Sequence, residues 1–339
     1  MIQTDSQPRR ERLTDGFLAA GDTLGGFRLE KKLSRGAMGE VWKAYDPAGD
    51  RPVVIKVLPP ELAHAADEIA RVKDTFKRVH ALQHEHIGPI YLVQEDPRVG
   101  CFLVMKYLDG VTLAEHRTAY VERHGSFPLS EALRLVQGVA EALDYAHAHN
   151  VVHRDIKPAN IMVCDGGRDV QVVDFGLAAD IRTGHAPASA VRMETSGTPS
   201  YMAPEQWRGE YQDGRTDQYA LAVVAYELLS GRLPFQGADW MTLRRNVLEQ
   251  PAPELPDLPA HVNRALSKAL AKAPTDRYAT CATFVKDLDG GARDVAHPYW
   301  RAAAIRPPGR PQARAPMALP PLSAPLMKTV LLRRAGAVV

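Results

Sequence analysis

Three stretches carry side chains whose types and spacing suit one kind of chemistry. The densest covers residues 153–160, His-Arg-Asp-Ile-Lys-Pro-Ala-Asn, followed by Asp174-Phe175-Gly176, so that two aspartates, a lysine and an asparagine arrive within a short span. Upstream, Val53-Val54-Ile55-Lys56 sets an ammonium in an apolar strand. It is costly to bury there unless it meets an anion such as phosphate. A lysine reaching out from an edge strand would read the same way. Earlier still, residues 34–41, Ser-Arg-Gly-Ala-Met-Gly-Glu-Val, lie between two strand-like segments. Small residues there let backbone amides approach phosphates, with Val41 placed to cover an adenine ring. A tight hairpin would carry the same glycines. The chemistry that needs such parts is phosphoryl transfer, which asks for positioning and charge neutralisation more than for covalent help.

The elements that must position these groups fall into two kinds. Residues 27–33, 40–45, 52–57, 90–93 and 101–105 read as short strands separated by turn residues. Residues 61–82 have apolar positions at helical spacing. From Ser130, a plausible N-cap, Ala132, Leu135, Val136, Val139, Ala142, Leu143 and Ala146 recur at i, i+3, i+4 and i+7. Residues 219–229 and 262–270 extend the helical character, with Gly231 as a C-cap and Pro234 beyond it. A small β-rich part therefore precedes a larger helical one. No internal repeat of a solenoid type is present.

At 339 residues and 45% hydrophobic, the chain can bury a real core. Its 42 Lys and Arg against 40 Asp and Glu leave a formal charge of +2, so no global field points to nucleic acid or to an anionic membrane. Cys101, Cys164 and Cys281 lie far apart without CxxC spacing, which suggests neither a disulfide framework nor a zinc site and fits a reducing cytoplasm. No apolar run of about 18 residues appears, so a membrane span is not expected. The polar start, 1–22, reads as an extension. The basic, Pro- and Ala-rich residues 293–339 read as a disordered tail.

With residues 153–160 and 174–176, the Ala203-Pro204-Glu205 triplet completes a set that resembles the protein kinase family, and the Hanks-type bacterial Ser/Thr kinases in particular. The resemblance covers roughly residues 23–290. It implies an α+β, bilobal fold with an N-lobe and hinge at 23–108 and a C-lobe at 109–292. It also implies ATP and Mg²⁺, protein substrates, and autophosphorylation in signalling. By the same resemblance Asp155 handles the substrate hydroxyl proton, Lys157 neutralises the γ-phosphate and Lys56 holds phosphates. Asn160 and Asp174 become ligands of Mg²⁺. Leu33, Ser34, Arg35, Gly36, Ala37, Met38, Gly39 and Val41 would surround the nucleotide. Met105 becomes the gatekeeper, and the backbone of Lys106 and Leu108 the adenine contact. Lys157 and residues 197–201, Gly-Thr-Pro-Ser-Tyr, resemble Ser/Thr rather than Tyr kinases, with Thr198 against Asp155 and Lys157. Glu205 and Arg277 resemble a buried ion pair, and Asp217 an anchor for the backbone beside His153.

Two departures from the family pattern matter. Ser34 replaces the first loop glycine, and Thr75 stands where a helix glutamate should pair with Lys56. Asp74 or Glu68 is the expected substitute, with Asp74 favoured. Arg154 places the chain among kinases in which an activation-segment phosphate balances this arginine. Ser189, Thr195 and Ser196 are the candidates, or Glu194 as a fixed charge. The competing reading is an ATP-binding pseudokinase scaffold. The motifs encode neither the protein substrate nor an oligomeric state.

Overall fold

Strand alternation builds the first half. In β4 (Arg51–Val57), Val53, Ile55 and Val57 enter one core while Lys56 turns to the opposite face of the sheet. β6 (Gly100–Lys106) shows the same period: Phe102 and Val104 join that core, Cys101 and Leu103 the other. The chain is described by a computed structural model over residues 18–36, 39–59, 66–175 and 199–290, with the side chains of 66–68 and 71 outside the description. Together with β1 (Thr23–Leu24), β2 (Phe27–Gly36), β3 (Gly39–Asp46) and β5 (Ile90–Asp96), these strands form an antiparallel sheet in the order β1-β2-β3-β4-β6-β5. Register matters to the site, because Lys56 is paired with Val41 on one side and Leu103 on the other. Directly opposed residues share a face.

The sheet begins to pack before Thr23. Leu18 is buried in the core with Leu24, Phe27 and Leu29, and the backbones of Gly21 and Asp22 bond to Leu29. Residues 18–22 thus belong to the sheet region rather than to an extension. A single leucine without periodic neighbours carries no strand or helix signal.

α1 (Ala66–His80) lies against β5 and sends Val72 and Val79 into the second core. That core runs on through the helical part without interruption. β7 (Gly110–Thr112) leads into α2 (Leu113–His124), whose N-cap Thr112 and Glu115 satisfy each other's backbone amides. α3 (Leu129–Ala148) buries all seven of its periodic apolar residues. It starts on Pro128 and not on Ser130, because the fixed φ of proline suits an extended cap and its carbonyl accepts from Glu131 and Ala132. β8 (Ile161–Cys164) and β9 (Asp169–Val172) pair with β7 in a small second sheet. Then come α4 (Pro204–Arg208), α5 (Gly214–Ser230), α6 (Trp240–Glu249), α7 (Ala260–Ala269) and α8 (Cys281–Leu288). α5 is buried around most of its circumference, as a central helix must be, and it ends on Gly231 in the left-handed region at φ 73°. Leu143 of α3, Val223 of α5 and Phe284 of α8 mark its packing partners. Residues 293–339, read above as a tail, lie outside the described residues.

Candidate active site

The catalytic loop hangs between α3 and the 3₁₀ turn Pro158–Asn160, and one buried carboxylate sets its shape. Asp217 on α5 accepts the backbone N–H of His153 at 2.8 Å and of Arg154 at 2.7 Å. His147 on α3 holds the same carboxylate, its Nε2 lying 2.7 Å from Oδ2. Burial disfavours the Asp217 anion, but the His147 bond and charge and the His153 amide outweigh it, and the carboxyl stays below the usual carboxylate range. Arg154 adopts φ 64°. That region strains a side chain-bearing residue by about 1–3 kcal/mol. It is held from both ends, by its N–H to Asp217 and by its carbonyl, which accepts from Gln206 Nε2 at 2.9 Å. Sequence reading identified Asp217 and missed Gln206 and His147, whose roles depend on contacts made across 52 and 70 residues.

At the loop's tip, Asp155 is surrounded by donors. Lys157 Nζ lies 2.8 Å and Asn160 Nδ2 3.0 Å from Asp155 Oδ2, and Asn160 Nδ2 also reaches the Asp155 carbonyl at 2.8 Å. Asn160 thereby commits its amide nitrogen to the loop and turns its amide oxygen elsewhere. The second aspartate comes in on the segment just after β9. Val173 N donates to Asn160 O at 3.0 Å, and His153 Nε2 donates to Val173 O at 2.9 Å. Asp174 follows at φ 66°, with the Phe175 ring tilted against His153 at 4.6 Å between ring centroids. The geometry therefore brings Asp155, Lys157, Asn160 and Asp174 to one edge of the cleft.

Lys56 closes the other edge from the sheet. It is 5% exposed, and its Nζ lies 2.7 Å from Asp174 Oδ2. Among the described residues no acidic side chain of α1 meets Lys56. Asp74 is 69% exposed and pairs with Arg78 at 3.4 Å, since it lies about 100° around the helix from the buried Thr75. Thr75 accepts from Arg78 Nη2. The Glu68 side chain lies outside the described residues.

The glycine-bearing hairpin sits above this pair. Ser34, Arg35 and Gly36 face Val41, Glu40 and Gly39, with Leu33 exposed and Arg35 3.5 Å from Glu40. Gly39 is obligatory, because at φ 103° a Cβ would lie 1.8 Å from the Val57 carbonyl. Ala37 and Met38 at the tip are outside the described residues, as are Gly176, Thr198, Ser189, Glu194, Thr195 and Ser196. At the back of the cleft Met105 is half-buried and Leu108 buried. The Lys106 N–H is committed to the Pro89 carbonyl at 3.0 Å, so toward a base Lys106 offers its carbonyl. Gly88-Pro89 ties the two parts together: Gly88 N donates to Val172 O at 2.9 Å, and a Cβ on Gly88 would meet Val173 at 2.8 Å.

Below the loop, Arg277 and Glu205 form a fully enclosed two-bond pair at 2.8 and 2.7 Å. Thr216 adds a hydroxyl to Glu205, and the carbonyls of Ala271, Arg215 and Lys272 accept the remaining Arg277 donors. Burial raises the cost of the Glu205 anion, yet the bonds and charge of Arg277 keep its carboxyl below the ordinary range.

The comparisons with known proteins agree with this geometry. The family model of the protein kinase domain matches residues 27–287. The serine/threonine-protein kinase PknA of Mycobacterium tuberculosis is 34% identical over 306 residues, which span 88% of this chain and 68% of PknA. PknF of the same organism is 36% identical over 82% of this chain and 59% of its own length. PrkC of Bacillus subtilis is 33% identical over 78% of this chain and 40% of its own length. Among solved structures, the kinase domain of M. tuberculosis PknI superposes with a TM-score of 0.65 at 31% identity, covering 81% of this chain and 99% of that one. The bilobal α+β architecture is that of these structures.

Proposed function

Because the chain belongs to the protein kinase family, in which PknA, PknF and PrkC are serine/threonine kinases, we propose that it moves the γ-phosphoryl group of ATP to Ser or Thr hydroxyls of proteins, its own included, with Mg²⁺ as the cation, in the cytoplasm. The observation that carries this reading is the convergence of Lys56, Asp155, Lys157, Asn160 and Asp174 from four elements on one cleft. Among the described residues no helix is long and apolar enough to cross a membrane.

The residues divide the work by charge. Asp155, oriented by Lys157 and Asn160, accepts the proton of the attacking hydroxyl as its oxygen bonds to phosphorus and the bond to the leaving ADP oxygen breaks. Lys157 stays beside the transferred group as a fixed positive charge. Lys56 holds the phosphates, and in this reading its ammonium exchanges Asp174 for phosphate oxygens. Asp174 and the amide oxygen of Asn160 are hard donors that fit a magnesium ion. When bound, the cation neutralises charge developing on the phosphate oxygens. Leu33, Ser34, Arg35, Gly36, Ala37, Met38, Gly39 and Val41 cover the nucleotide, and the Lys106 carbonyl and Leu108 backbone contact adenine. Thr198 belongs beside Asp155.

A pseudokinase is the second reading, and the observation that favours it is Thr75. Among the described residues no acid of α1 reaches Lys56. Transfer of label from γ-labelled ATP with Mg²⁺, to the protein itself and to a generic basic protein, separates the two. Wild type should transfer, and Asp155→Asn and Lys56→Met should lose at least about 100-fold. Nucleotide binding without transfer by wild type would establish the scaffold instead.

A further inference from the structure

Asp144, His147 and Cys281 each bring one ligand atom to a common point, all within 4.8 Å of one another. We propose that these three residues form a binding site for a thiophilic divalent cation of the zinc class, behind the catalytic loop and separate from the cleft. Among the described residues it is the one group of three such side chains. The cysteine spacing could not reveal it, because Cys281 and Asp144 are 137 residues apart.

The site is built by the packing of α8 on α3. Asp144 and His147 stand one turn apart on α3, with Oδ1 and Nδ1 3.9 Å from each other. Asp144 also receives the N-terminus of α8, accepting from the amides of Cys281 and Ala282 at 2.8 Å each. That fastening delivers the Cys281 thiol to within 4.8 Å of the same carboxylate. Zinc bonds of about 2.0–2.3 Å hold tetrahedral ligand atoms about 3.3–3.7 Å apart. The three ligand atoms, within 4.8 Å of one another, must draw together by up to about 1.5 Å to reach that.

The helix cap accounts for Asp144, and Asp217 sets the ring of His147. Nε2 lies 2.7 Å from the fully buried Asp217, which leaves Nδ1, 3.9 Å from Asp144 Oδ1, as the ring nitrogen available to a metal once its proton is released. Metal-binding histidines are almost always tied in this way through the other ring nitrogen to a carboxylate. Gly214 keeps the ring's edge clear, since a Cβ there would lie 2.6 Å from Nδ1. Charge also balances. The thiol gives its proton to solvent as sulfur binds the metal, and one thiolate with one carboxylate neutralises a dication beside a neutral imidazole. A sulfur ligand selects zinc or cadmium over magnesium, which the oxygen donors of the cleft suit. Asp217 connects the two places, for it holds the amides of His153 and Arg154 as well as His147.

The test uses the full chain, stripped with chelator and titrated with Cd²⁺ alone, without nucleotide or Mg²⁺. Wild type should develop a thiolate-to-cadmium charge-transfer band that saturates at one equivalent, and Cys281→Ala should not. Zn²⁺ should displace the cadmium and raise the melting temperature of wild type but not of Cys281→Ala. His147→Gln and Asp144→Asn, the latter keeping a cap acceptor, should each weaken binding at least about tenfold. They also serve if Cys281→Ala melts without cooperativity. Absence of the band in folded wild type, or its survival in Cys281→Ala, overturns the proposal and leaves Asp144 as a helix cap only.

Discussion

Arg277→Met tests how the helical part is held together. The substitution removes both bonds to Glu205, at 2.8 and 2.7 Å, and leaves that carboxylate, 1% exposed, with the Thr216 hydroxyl as its side-chain partner among the described residues. Removing one member of a buried pair costs about 3–5 kcal/mol, because the other charge stays behind uncompensated. Against a total stability of about 5–15 kcal/mol this is a large share. At about 2–4 °C per kcal/mol for a domain of this size, the melting temperature should fall by about 6–20 °C. Thermal unfolding followed by circular dichroism measures it. The pH dependence gives a sharper check. In wild type the folded carboxyl of Glu205 sits below its unfolded value, so its contribution is present above the ordinary carboxylate range and lost as pH falls through the folded value. In the variant burial alone acts and raises that pKa, so acidification neutralises the stranded group. The gap between wild type and variant should therefore narrow from pH 7 toward pH 4. A fall of under about 2 °C, or a gap that stays constant with pH, refutes the reasoning.

Lys272 predicts the opposite sign. Burial and the charges of Arg277 and Arg208 push its ammonium down to about 8. The unfolded chain then binds more protons than the folded one between about pH 8 and the ordinary lysine value, so stability rises with pH through that window. Lys272→Met should melt higher than wild type at pH 7 and lose that rise, and a lower melt at pH 7 would show that the Val247 carbonyl and Phe235 ring contacts of Lys272 outweigh its burial. Asp74→Asn should leave kcat/KM for protein phosphorylation within about twofold, because an exposed pair with Arg78 contributes little. A loss of tenfold or more in steady-state assays with labelled ATP would mean that Asp74 swings to Lys56 during turnover.

The strands and α3 were legible because burial on one face writes a period into the residues: Phe102 and Val104 against Cys101 and Leu103, and the seven apolar positions of α3. Helix starts were less so. Ser130 is a good capping residue by type, yet Pro128 two residues earlier takes the role, and only the packed helix reveals which carbonyl receives its first amides. Leu18 shows the same limit, since a lone apolar residue has no periodicity to announce it.

For the site, the motifs and their resemblance to the kinase family nominated the groups proposed to handle phosphate and a hydroxyl proton, because that chemistry needs a lysine, two aspartates and an asparagine in a set order and tolerates few substitutes. What it left open was pairing. Whether Lys56 meets Asp74, Glu68 or Asp174 turns on which side of α1 faces the sheet, a rotation of one residue that no motif encodes. The meeting of Asp144, His147 and Cys281 likewise exists only because α8 docks on α3. Side-chain chemistry is a property of each residue and can be read along the chain. The distance between two side chains belongs to the packed fold, where burial decides which groups must find one another.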